Sequence, residues 1–145
     1  MKRYLALILS LWVGTAQAQI TLACQFTMGN GFTWKNGKWQ PTMFNPEKPF
    51  FLTIRPSNQL EPKSALVAMG MTPDLAESMK SDPESVNCFP HFKLAKSSTC
   101  AVHSGSSITI SLATLEGAVS LPAGATQHGQ TRDTIAIFPF ICQKM

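Results

Sequence analysis

The sequence predicts an all-β domain, mainly antiparallel, built as a small barrel or sandwich with one short helix and two disulfides. Three observations predict it. Apolar residues alternate at period two in several segments, Gly and Pro punctuate the chain between them, and four cysteines follow an apolar N-terminal run.

Ile20, Leu22, Cys24, Phe26 and Met28 alternate with Thr21, Ala23, Gln25 and Thr27. That pattern predicts a half-buried strand with Cys24 on its core face. Gly29-Asn30-Gly31 reads as the turn that ends it. Phe32 to Pro41 predicts a hairpin around Asn36-Gly37, the strongest short-range hairpin signal. A two-residue loop sets Lys35 opposite Lys38 and Trp34 opposite Trp39. Phe32, Trp34, Trp39 and Pro41 then line one side, and Thr33, Lys35, Lys38 and Gln40 the other.

Phe50 to Arg55 reads as the next strand, and Ser64 to Met69 as a further one. A helix is expected over residues 73–80. Thr72 caps it, Pro73 takes its first position, Asp74 and Glu77 suit its positive end, and Asp82-Pro83 stops it. Ser107 to Leu112 alternates again. Leu112 to Val119 offers a second helical turn, which Gly117 disfavours. Ile135 to Cys142 is apolar on both faces and suits a central strand, with Pro139 implying a bulge or an edge there.

The N-terminus has the three parts of an export signal. Lys2 and Arg3 precede an apolar run from Tyr4 to Val13, and Ala16-Gln17-Ala18 supplies a small-x-small cleavage site. The run is shorter than the roughly 20 residues of a membrane span. Residues 1–18 are therefore read as a signal peptide and residues 19–145 as one domain, periplasmic or secreted. Acylation at Cys24 fits less well, because Thr21-Leu22-Ala23 departs from the usual approach to a lipidated cysteine.

Cleavage leaves 127 of the 145 residues, enough for a real core. It also removes two of the twelve basic residues, so the formal charge falls from +4 to +2. The remaining lysines are scattered. No basic stripe points to nucleic acid, and no polybasic patch points to a membrane surface.

Four cysteines allow three connectivities. Cys24–Cys142 would tie the first strand to the last, and Cys88–Cys100 would close a short local loop. An oxidising compartment favours these disulfides. The alternative is a metal site, because Cys88-Phe-Pro-His91 and Cys100-Ala-Val-His103 are two Cys-x-x-His units. Two thiolates and two imidazoles could surround a tetrahedral zinc ion.

Catalytic signatures are missing. There is no nucleophile elbow, phosphate-cradling loop or dinucleotide fingerprint, and no cofactor is implied. His103-Ser104-Gly105-Ser106-Ser107 reads as a polar turn. His128 reads as a loop residue within Gly124 to Thr131, and Arg132-Asp133 as a local ion pair. Asp74, Glu77, Asp82 and Glu84 crowd around the expected helix as a solvated face.

Several segments together carry a resemblance: Gly31-Phe32-x-Trp34-x-x-Gly37-x-Trp39, Phe44-Asn45-Pro46-Glu47-Lys48, and Arg132-Asp133-Thr134 through Phe140-x-Cys142-x-Lys144. They resemble small exported proteobacterial proteins that carry no assigned function. The resemblance implies an exported, disulfide-containing single domain and supplies no catalytic residue. A likeness of architecture also links the chain to the small barrel inhibitors of lysozyme found in bacterial envelopes. Their Ser-Gly-x-x-Tyr type of loop is not present, and the mature chain has no tyrosine.

The expected function is non-enzymatic binding, with a protein or a small apolar or carbohydrate ligand as partner. Phe32, Trp34 and Trp39 with Lys35 and Lys38 are the candidate site. The competing role for the two indoles is to pin the hairpin to the core. The rival classes are a metalloprotein using Cys88, His91, Cys100 and His103, and a structural envelope component.

Overall fold

A computed structural model describes residues 18–46, 48–91, 96–122 and 134–145, and of His91 the backbone only. Residues 1–17 of the expected signal peptide, His128 and Arg132-Asp133 lie outside the described residues. Nine antiparallel strands and two short helices make up the described chain. They are β1 (Ile20–Phe26), β2 (Gly29–Lys35), β3 (Lys38–Phe44), β4 (Phe50–Ile54), α1 (Pro62–Ala68), α2 (Pro73–Met79), β5 (Val86–His91), β6 (Ser97–Val102), β7 (Ser107–Ser111), β8 (Glu116–Leu121) and β9 (Thr134–Lys144).

The strand order is β3-β2-β9-β8-β7-β6-β5, and β1 lies between β9 and β4. β9 is therefore the branch point. One of its edges pairs with β8, while the other pairs first with β2 and then with β1. The sheet is open, and α1 lies in the gap, packed on both β4 and β5. The outward groups of Thr53 on β4 are satisfied by this helix. Its carbonyl accepts from the Glu61 N–H at 2.8 Å, and its N–H donates to Ser64 Oγ at 3.1 Å. Leu60 N–H donates to the buried Ser98 Oγ on β6 at 2.8 Å, so the sheet curls far enough for the segment after β4 to meet β6. Inside the curl, Leu22, Leu52, Leu60, Leu66, Ile108, Ile110, Val119 and Phe140 form one continuous core.

Three expectations are corrected. Residues 64–68 belong to α1 and Met69 is its C-cap, so no strand forms there. Glu61 caps that helix by accepting from Ser64 N–H, and Pro62 starts it. Gly29-Asn30-Gly31 is strand β2, not a turn. A Cβ on Gly31 would collide with the β9 backbone at Ile135, so glycine permits pairing at that distance. Over Leu112 to Val119 only one turn forms, closed by Leu115 N–H donating to the Ser111 carbonyl at 2.9 Å, and Glu116 to Val119 already belong to β8. There Gly117 leaves room for the Phe140 ring, which a Cβ would strike. The second helix occupies residues 73–79 as expected, with Thr72 Oγ1 accepting from Leu75 N–H.

Both disulfides form in the expected connectivity, Cys24–Cys142 and Cys88–Cys100. Each joins residues directly opposite on neighbouring antiparallel strands, with Cα atoms 4.0 Å apart. That spacing belongs to the non-hydrogen-bonded kind of pair, so the N–H of Cys142 points away from β1. It donates to the Leu115 carbonyl on the far side, at 2.8 Å.

The same alternation explains Pro139 in a central strand. Its missing N–H falls on the β1–β2 side, where pairing is interrupted. β1 and β2 run as one long strand against β9, but three residues between Phe26 and Asn30 face two between Phe140 and Ile137. This is a β-bulge, with Thr27 N–H donating to the Pro139 carbonyl at 2.8 Å.

Candidate functional site

The hairpin forms as its sequence dictates. Asn36 and Gly37 both take positive φ, as a two-residue turn of this kind requires, and the register sets Lys35 opposite Lys38, Trp34 opposite Trp39 and Phe32 opposite Pro41. The indoles pack edge to face with ring centroids 5.3 Å apart.

Where the aromatic side points is decided by the bulge. In β1 the even-numbered residues Leu22 and Cys24 face the core. The extra bulge residue reverses that parity, because a one-residue shift moves every following side chain to the other face. The even-numbered Phe32 and Trp34 of β2 therefore share the outer face with Ile135 and Ile137 of β9. The odd-numbered Gly29 sits inside, against Phe138.

The outer face is an ordered grid. One row is Met43, Asn30 and Ile137; the next is Pro41, Phe32 and Ile135; the last is the Trp39–Trp34 pair. Phe32, Met43 and Ile137 are 46, 66 and 53 % exposed. The two indoles are half-buried. A groove of about 590 Å³ crosses the first two rows. No charged residue stands in the three rows. Such a face presents apolar and aromatic surface and holds no nucleophile, acid or base.

The strand edge beside this face is blunted. In a two-residue hairpin the Lys35–Lys38 pair is hydrogen-bonded, so Trp39, Pro41 and Met43 turn their backbone groups outward from β3. Pro41 brings no N–H to that edge, which disfavours addition of a further strand. On β5 the register places Pro90 in the equivalent outward position.

Lys35 and Lys38 lie at the tip, on the side opposite the aromatic rows, and both are exposed. Among the described residues neither makes an ion pair; the bridges join Arg55 to Glu61 and Glu77 to Lys63 and Lys80. The hairpin thus carries all five candidate residues, with the three aromatics on one side and the two lysines on the other.

The alternative metal set is not assembled in this oxidised form. The Cys88 and Cys100 sulfurs are bonded to each other, so neither is a free thiolate ligand. His91 ends β5 opposite Ser97, and His103 lies in the turn beyond β6. Among the described residues no group of three or more His, Cys, Asp or Glu is placed to hold a metal. The His103–Ser107 segment is the polar β6–β7 turn that its composition suggests. Gly105 N–H donates to the Val102 carbonyl, and the Ser106 carbonyl accepts from Val102 N–H.

Two disulfides fit an oxidising compartment. Among the described residues no helix is long and apolar enough to cross a membrane. No protein family, curated protein or solved structure matches the chain.

Proposed function

We propose that this is an exported, non-enzymatic binding protein of the periplasm or extracellular space, and that it binds through the outer face of β2, β3 and β9. One observation carries the reading. The even-numbered apolar residues Ile20 to Met28, and Phe32 and Trp34 beyond Asn30, would share one face of an unbroken strand, and the bulge opposite Pro139 turns the second group outward. Exposed contiguous apolar surface on a small domain marks an interaction site. Trp and Phe concentrate binding energy at such sites. The leader-like residues 1–18 and the two disulfides support export.

Tryptophan fluorescence and surface variants test this together. Acrylamide is expected to quench the indole emission of the exported, oxidised protein. Met43→Ser with Ile137→Ser should leave the melting temperature within a few degrees while removing binding of an apolar dye. Protected indoles, or a melting loss as large as that of a core variant, would reduce this face to packing.

A further inference from the structure

A second exposed apolar feature lies beside α2. Leu75 and Met79 are spaced four residues apart and so share one side of this helix, and Met71 in its lead-in lines the same cleft. A stripe of that kind normally packs into a core. Here Met71 and Met79 are half-buried against the core while Leu75 is exposed, and with Val102 the three line an open cleft of about 640 Å³. Leu75 is 49 % exposed, and the one buried residue of α2 is Ala76.

The rim of the cleft carries two carboxylates beside His103. Asp82 and Glu84 stand on it. Asp82 is held in place as its Oδ1 accepts from Glu84 N–H at 3.0 Å and its Oδ2 accepts from Ser85 Oγ. The nearby lysines are engaged elsewhere, since Lys63 and Lys80 both pair with Glu77. The cleft therefore suits an occupant with a compact apolar body and cations beside it.

The same chain presents that chemistry at its hairpin tip. Trp34 and Trp39 supply the apolar body, and Lys35 and Lys38 supply two opposed cations with no ion-pair partner among the described residues. Like charges directly opposite each other on a sheet repel, so this pair gains from an external anion. The tip and the cleft are different surfaces, since β3 and β5–β6 stand at opposite ends of the strand order.

We propose that the hairpin tip of one molecule seats in the α2 cleft of a second copy, so that the chain associates head to tail. This rests on reading the hairpin as a binding surface, and it names the partner as another copy of the same protein. A heterologous contact of this kind repeats, giving open chains or a closed ring. Charge complementarity sets its register.

Complementation of two variants decides the matter, using the oxidised, exported protein in sedimentation at low ionic strength. Exposed charges interact over about 10 Å at 0.1 M salt and farther below it. Wild type should gain mass with concentration and pass beyond the dimer. Lys35→Glu with Lys38→Glu disables the tip; Leu75→Glu with Glu84→Lys disables the cleft. Each double variant alone should stay monomeric, and an equimolar mixture should yield a dimer and nothing larger. A wild type that is monomeric throughout, or a mixture that stays monomeric, overturns the proposal.

A second measurement needs no variant. Carbodiimide coupling of mixed ¹⁴N- and ¹⁵N-labelled wild type should join Lys35 or Lys38 of one isotope to Asp82 or Glu84 of the other. Absence of such mixed-isotope links also overturns it. Quencher-accessible indoles in a strictly monomeric protein would sink this partner and leave the binding-surface reading standing.

Discussion

Neighbouring residues of β9 show how much one step along a strand decides. Phe140 is buried, in edge-to-face contact with Phe26 and Phe50. Ile141 faces outward and is mostly exposed. Phe140→Ala should cost about 3–5 kcal/mol, as large-to-small core changes do. Ile141→Ala should stay within about 0.5 kcal/mol. Urea midpoints of the two variants measure the contrast. Glu77 offers a pH test. Hydrogen bonds from Lys63 and Lys80 hold its carboxyl down to about 2, from an ordinary value of 4.5. A depressed carboxylate contributes stability above its unfolded value and loses it as the pH falls through the folded one. The pair is on the surface, so the effect is small. Wild type should melt above Glu77→Gln at pH 6, and the gap should close as the pH falls from about 4.5 through about 2. A gap that persists below that range would show that the α1–α2 bridge is not its source.

Among the elements, the hairpin was the most legible because its information is local. Asn36-Gly37 sets the turn, the turn sets the register, and the register sets both sides. Its one local conflict is Lys35 against Lys38. Lys38→Glu should stabilise the isolated fold by about 0.2–1 kcal/mol, read as a raised urea midpoint in the monomer. What lay beyond the sequence depends on distant partners. Gly29 and Gly31 look like a turn, yet their purpose is close approach to β9. Residues 64–69 are too few to show a helical period, and their cap is a side chain three residues upstream. β5 and β6, rich in Ser, Thr and Pro, carry no alternation and owe their strand form to neighbours. The outward aim of the aromatic side was equally hidden, because it is set by a bulge against a strand more than a hundred residues away. The α2 cleft needs residues 71–104 brought together by folding.

The first and last strands are tied by Cys24–Cys142, whose partners are 118 positions apart in sequence, against 12 for Cys88–Cys100. Loop entropy gives about 4.7 kcal/mol for a loop of some 100 residues and about 3 kcal/mol for one of some 15. Replacing the first pair by serines should therefore cost about 1–2 kcal/mol more than replacing the second, as measured by denaturant unfolding. Equal losses would point to native-state contacts as the main effect of both. The branch at β9 has a further consequence, in time. β9 is the last of the nine strands to be made, and β1, β2 and β8 all depend on it for a neighbour. Before it emerges, the β1–β4 pair and the β5–β8 meander meet through α1 and the Leu60–Ser98 hydrogen bond, but the β2–β3 hairpin has no strand to pair with. Contacts of such sequence separation close slowly. A chain threaded amino end first through a pore would thus keep its hairpin undocked until β9 is through.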